Sequence, residues 1–186
     1  MMKQMINSIP NDELLASSPT CHKPMLAEVF STQDIQNFVC QSEVLKFNIP
    51  CENVKYLFSD WEIDVCSLNK NGYLTEFEVK ISRSDFKADS KKKKWHWYNM
   101  RIDEMTSNYF YYVCQDELIS ENEIPNFAGL IYMSKNRLKV VKKAPLLHKF
   151  KHDKDKIMLK FLRVMSERKY LGSCRLTYEN SKRISC

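Results

Sequence analysis

Residues 61–95 read WEIDVCSLNKNGYLTEFEVKISRSDFKADSKKKKW. Positions 61–68 and 73–82 are rich in β-branched, aromatic and alternating residues, and Asn69-Lys70-Asn71-Gly72 between them is a turn signal. An antiparallel hairpin is predicted, and the length of its loop decides what it presents. A three-residue loop, Lys70-Asn71-Gly72, places Gly72 where a type I turn is followed by a left-handed residue. Asn69 is then paired with Tyr73. Cys66 faces Glu76, Asp64 faces Glu78 and Glu62 faces Lys80. Side chains alternate along a strand, so these six share one side, and Ile63, Val65, Phe77 and Val79 form an apolar layer on the other. A four-residue loop would shift the pairing by one and separate Asp64 from Glu78. The apolar pattern favours the shorter loop.

Directly opposed residues carry Cβ atoms about 4.5–5.5 Å apart, close enough for two carboxylates to hold one hard cation. Mg²⁺ takes one or two carboxylates, keeps several waters and binds substrate phosphate. A bound metal acidifies water and stabilises phosphate charge, while a lysine positions the nucleophile or neutralises the oxyanion. Asp64, Glu78 and Lys80 suit that chemistry. An exposed strand face laced by Glu–Lys pairs uses the same residue types, so the pattern alone leaves both readings open.

Asp64 followed by Glu78-Val79-Lys80 resembles the signature of the PD-(D/E)XK nuclease superfamily. The continuation Ile81-Ser82-Arg83-Ser84-Asp85-Phe86, then Asp89, Lys94-Trp95 and Tyr98, is similar to the MmcB-type DNA-repair family within it. The similarity extends through positions 109–113 and 129–133, weakens after about Pro145 and does not include the first thirty residues. One departure stands out: the residues before the metal aspartate are usually basic in that family, and here they are Asp60-Trp61-Glu62. The resemblance implies a restriction-endonuclease-like core, with Mg²⁺ or Mn²⁺ held by Asp64, Glu78 and the Val79 backbone carbonyl. Lys80 would be the catalytic lysine. It also implies a first helix beside the sheet that can add an acidic ligand, for which Glu43 is the candidate. DNA is the implied substrate and repair the implied context.

Bulk properties bound the alternatives. The 186 residues fit one domain, with 44% hydrophobic and 28% charged residues, both globular values. Only three glycines occur, and neither GxxxxGK[ST] nor GxGxxG is present, so a nucleotide cofactor is not expected. The net charge of +6 is concentrated at Lys91–Lys94 and over positions 135–156, the footprint of a polyanion partner. Ser82, Arg83, Lys91, Lys92, Lys93 and Lys94 are candidates to hold backbone phosphates, and Trp97 to stack a base. Seven dispersed cysteines without a CxxC pair suggest free thiols and a reducing cytoplasm. No apolar run suggests a membrane span or a signal peptide.

The remaining chain is expected to complete an α/β fold: a mixed, mainly antiparallel sheet flanked by helices. Residues 1–24 read as a poorly ordered arm, 25–171 as one nuclease-like domain and 172–186 as a basic tail. A helix opens at Ser31 or Thr32 and ends near Phe47. An outer strand follows over 54–58. One helix is predicted over 84–100, with Phe86, Trp95 and Tyr98 turned inward. Strands follow at 108–114, 128–133 and 138–142, and an amphipathic helix runs over 153–171. A metal-dependent DNA nuclease is the expected function. A catalytically silent nucleic-acid-binding module on the same fold is the alternative, motivated by the extra charge of Glu62. A structural protein whose hairpin face is merely solvated stands third.

Overall fold

The computed structural model describes residues 30–58, 60–135 and 137–171. The predicted arm at 1–24 and tail at 172–186 lie outside those residues. Six strands form one sheet in chain order: β1 (Ile49–Lys55), β2 (Glu62–Leu68), β3 (Leu74–Lys80), β4 (Tyr109–Gln115), β5 (Ala128–Ser134) and β6 (Arg137–Lys142). β1–β2, β2–β3 and β5–β6 pair antiparallel, whereas β3–β4 and β4–β5 are parallel. Helices α1 (Thr32–Leu45), α2 (Arg83–Asp89), α3 (Lys93–Met100) and α4 (Lys154–Leu171) flank it. The chain is thus an α/β protein with a mixed, mainly antiparallel sheet, as its sequence leads one to expect.

From Val65–Phe77 to the turn the hairpin register is the predicted one, whereas the predicted Asp64–Glu78 and Glu62–Lys80 pairs do not form. Val65 pairs with Phe77, Cys66 with Glu76, Ser67 with Thr75 and Leu68 with Leu74. The Asn69 N–H donates to the Tyr73 carbonyl at 3.0 Å, and Gly72 sits at φ +83°, the left-handed backbone that glycine tolerates best. Phe77, Val79 and Val65 pack with Ile35 and Val39 of α1 and with Val113, Ile131 and Met133. Ser31 caps α1 through a reciprocal pair with Asp34, which satisfies donors the first helical turn leaves open. The opposite side is covered by two groups. Tyr98 joins Phe110, Tyr112, Phe127 and Leu130, while Ile157, Phe161 and Val164 of α4 pack on Val54, Cys66 and Leu74.

Three expectations need correction. The outer strand spans Ile49–Lys55 rather than 54–58; Pro50 and the positive φ of Asn53 (48°) are tolerated because β1 is a sheet edge. Ile63 joins the α4 group instead of the Val65 layer, beyond the point where β2–β3 pairing ends at Val65–Phe77. The helix predicted over 84–100 is two helices with a turn between them. Lys91 and Lys92 donate their N–H groups to the Ala88 and Asp89 carbonyls at 3.2 and 2.9 Å. That turn aims Asp89 inward.

A strap over 144–153 closes the fold near the starts of β3 and β4. The Asn108 amide donates to the His148 and Phe150 carbonyls at 3.1 and 2.8 Å, and Leu74 N–H donates to Asn108 Oδ1 at 2.8 Å. The Nε2 atoms of buried His148 and His152 lie 3.2 and 3.1 Å from the Thr106 carbonyl. Burial, with His148 beside it, pushes His152 down to about 4 against the opposing Thr106 contact.

Gly129 fixes how closely this strap approaches β5. A Cβ there would stand 2.4 Å from Tyr111 Cε1 and 2.6 Å from the Ala144 backbone nitrogen. Gly129→Ala is therefore expected to destabilise the fold by roughly 1–3 kcal/mol, the range for overpacking a tight site, as read by denaturant or thermal melts. An unchanged melt would mean that the strap moves aside freely.

Candidate metal and nucleic-acid site

β3 carries two opposite faces. Phe77 and Val79 point to α1, so alternation sends Glu76, Glu78 and Lys80 to the α2–α3 side. All three are buried, at 0%, 3% and 2% exposure. The polar face of the hairpin is thus roofed by protein instead of facing water. Such a row is stable only if every charge finds a partner, since buried ions lose several kcal/mol of hydration.

The partners come from the broken helix. Lys80 Nζ donates to Glu78 Oε1 and to Asp89 Oδ1, both at 2.9 Å, with Asp85 at 3.6 Å on the rim. Lys94, only 5% exposed, bridges Glu78 Oε2 and Glu76 Oε1, the latter at 3.0 Å. Tyr98 O–H donates to Glu76 Oε2 at 2.5 Å and accepts from the Ser107 N–H at 3.1 Å. Lys92 reaches Asp89 at 2.5 Å and Glu78 Oε1 at 3.3 Å while its own side chain stays 45% exposed.

Asp64 completes the group. The Val79 N–H, which would otherwise extend the ladder, donates to Asp64 Oδ2 at 2.8 Å. The strands part there, and a cleft of about 410 Å³ opens between Asp60, Trp61, Asp64, Glu78, Lys92 and Lys93. Burial, then the charge of Glu78, lifts the Asp64 carboxyl to about 7, with the Val79 N–H, Lys94 and Lys80 pulling the other way. Burial alone would raise Glu78 too, but Lys94, Lys80 and Lys92 outweigh it and hold that carboxyl well below its usual range. Burial likewise raises Glu76, against Lys94 and Tyr98. Lys80 and Lys94 are shifted upward; burial works against this, and the adjoining carboxylates overcome it.

The expected residues divide between this group and other parts of the fold. Asp64, Glu78, Val79 and Lys80 come together. Glu43 does not join them: it lies under α1, on the other side of the sheet, accepting from Ser67 Oγ at 2.7 Å, Asn48 at 2.8 Å and Lys46 at 2.8 Å. Lys94 is an internal counter-ion, too buried to hold phosphate. Ser82 caps α2 by accepting from the Asp85 N–H at 3.2 Å. Arg83 is tied to the Leu118 carbonyl at 3.0 Å and to Glu123 at 2.5 Å. Lys91 and Lys93 are exposed, Lys93 pairing with Asp60 at 3.2 Å. Glu62 pairs with Lys55 at 3.3 Å, not with Lys80. Trp97 stands edge-on to Trp61, a residue of the cleft wall, with ring centres 5.4 Å apart.

Sequence reasoning missed Glu76, Asp89 and Trp61 as members of the site. Alternation with Glu78 puts Glu76 on the right face, but nothing local shows that α3 covers it. Asp89 depends on a helix break with no glycine or proline to mark it.

No protein-family model and no curated protein matches the chain. A solved structure does: a Silicibacter pomeroyi protein of unknown function, 20% identical, with a TM-score of 0.59 over 77% of this chain and 92% of that one. That likeness speaks for the fold alone.

A native Asp64 value near 7, against about 3.9 in an unfolded chain, makes stability pH-dependent. The contribution is full below the unfolded value and is lost as pH rises through 7. Asp64→Asn should therefore match wild type near pH 4 and exceed it by up to about 4 kcal/mol at pH 8, measured by urea melts at both pH values. Equal stability at pH 8 would show that the carboxyl is not strained.

Proposed function

We propose that this chain is a metal-dependent nuclease that hydrolyses DNA phosphodiester bonds. The observation that carries the reading is the convergence of Asp64 and Glu78 on one cleft, with Lys80 fixed against Glu78 and lysines 92 and 93 on the wall. The similarity of the run from Asp64 to Tyr98 to the MmcB-type family supports it, and so does the α/β fold.

The donor set fits a hard divalent ion of the water-rich kind. Among the described residues no group of three or more His, Cys, Asp or Glu is gathered to hold a metal, but Mg²⁺ commonly takes one or two carboxylates and keeps its waters. Asp64, Glu78 and the Val79 carbonyl would hold it, and the ion would supply a water acidified for attack and a charge opposing the phosphate. Lys80, 2% exposed and like Lys94 too buried to touch phosphate, keeps Glu78 ionised and in place. Exposed Lys91 and Lys93 attract the polyanion, a sequence-independent contact. Trp61 and Trp97 present aromatic surface where a base would lie.

A catalytically silent nucleic-acid-binding module is the second reading, favoured by the fact that both oxygens of Glu78 are already taken by lysines. A reducing, cytoplasmic setting is part of the proposal and draws on four free thiols, Cys40, Cys51, Cys66 and Cys114. No helix among the described residues is long and apolar enough to cross a membrane.

Asp64→Asn is expected to lower Mn²⁺-dependent cleavage of DNA at least about 100-fold, on the scale of a lost metal-site or oxyanion contact, with an intact circular dichroism spectrum. Cleavage at the wild-type rate would remove the mechanism. DNA binding that weakens with salt, without Mn²⁺ binding by calorimetry, would favour the module. Lys80→Ala is the poorer probe, because it removes a buried counter-ion from both Glu78 and Asp89 and should cost up to roughly 3–5 kcal/mol of stability.

A further inference from the structure

The inner cluster sets four carboxylates, Asp64, Glu76, Glu78 and Asp89, around three ammonium groups, Lys80, Lys92 and Lys94. The three lysines are not equivalent. Lys80 is clamped between Glu78 and Asp89, and Lys94 between Glu78 and Glu76, at 2% and 5% exposure. Each is locked by two acids inside the protein. Lys92 also spans two acids, but it springs from the turn between α2 and α3, and its side chain is 45% exposed. It is the member of the cluster that can leave for solvent without breaking a helix or opening the core.

Glu78 explains why one of them must leave. Its Oε2 is taken by Lys94, and its Oε1 by Lys80 at 2.9 Å and Lys92 at 3.3 Å. An ion entering from the cleft toward Glu78 meets Lys92 there, since Lys92 and Glu78 both line that cleft. Lys80 and Lys92 already crowd Oε1, and a divalent ion added beside both in a partly dry site would meet strong repulsion.

We propose that Lys92 is the resident counter-cation of this site, a built-in ammonium that a divalent metal ion replaces at Glu78. The inference rests on the metal-site reading above and assigns to it a regulatory part. Exchange of Lys92 for a divalent ion sets two ammonium groups and two metal charges against the four carboxylates, so the loaded site is balanced. Asp89 keeps Lys80 at 2.9 Å after the exchange, so no buried acid is stranded. The displaced ammonium swings to the cleft wall, beside Lys93, where a phosphate would lie. Empty of metal, the site is held shut by its own lysine.

Calorimetric titration of the full chain with Mn²⁺ alone at one pH tests this, comparing wild type with Lys92→Met, Lys93→Met and Asp64→Asn. Lys92→Met should bind Mn²⁺ about tenfold or more tightly, because the competing ammonium is gone. Lys93→Met removes the same charge from the neighbouring, 76% exposed position and should change affinity less than about threefold, as a screened surface charge does. Asp64→Asn should lose the binding. Lys92→Gln, checked by thermal melt alongside Lys92→Met, serves if the methionine variant does not fold and carries the same expectation. Wild-type Mn²⁺ binding with no gain on removing Lys92, or an equal gain on removing Lys93, overturns the role of Lys92 and leaves the metal site standing. No Mn²⁺ binding by wild type or by either Lys92 variant overturns the metal site and this proposal together.

Discussion

The contact on which the architecture turns is the buried pairing of Glu78 with Lys80 and Lys94. Both ends of it lie out of water, so neither acid nor base can be left alone without losing several kcal/mol. The acid and one base are fixed by β3, two residues apart on one face. The other base must be brought from elsewhere, and α3 brings it. The helix therefore has to lie across β3 with Lys94 inward, and Tyr98, one turn on, follows it down to Glu76 and the aromatic cluster with Phe110 and Phe127. Charge pairing and apolar packing here fix the same placement, which is the agreement between levels expected of a well-specified fold.

The break between α2 and α3 has its origin in the same constraint. Asp89 must turn toward Lys80, and Lys94 must turn toward Glu78, and one straight helix would have to present both to the same strand. The turn at Ser90–Lys92 resolves the conflict. It leaves a lysine on a short connector directly over the acids, and it is also where β2 has let go of β3. The divergence of these strands at Asp64 has a small local cause, a carboxylate accepting the N–H that would otherwise continue the ladder.

What the sequence discloses, and what it hides, follows from the range of the forces involved. The hairpin register was readable because a period of two and a single glycine decide it within fourteen residues. The cap at Ser31 and the inward Phe86, Trp95 and Tyr98 were readable for the same local reason. The edge strand was not, since Pro50, Glu52 and Asn53 disfavour strands and only pairing with β2 overrides them. Burial of the charged row was not readable either. Glu-x-Glu-x-Lys looks alike whether water or a helix lies above it, and the partner that settles the matter, Lys94, sits fourteen positions after Lys80. In the sequence Lys94 reads as a phosphate contact like its neighbours, because a lysine run carries no mark of which member points inward. Glu43 had helical position in its favour, but its side chain is claimed by Ser67 on the far face of the sheet.

The strap that seals the other end of the sheet has a consequence for proton exchange during unfolding. His152, neutral and buried with a native value near 4, gains a proton when the chain opens anywhere between that value and its free value of about 6.5. Asp64, protonated in the same interval because its native value is near 7, gives one up. Over the mildly acidic range these two transfers offset each other, so the pH dependence that either residue alone would give to unfolding nearly cancels between opposite ends of one sheet.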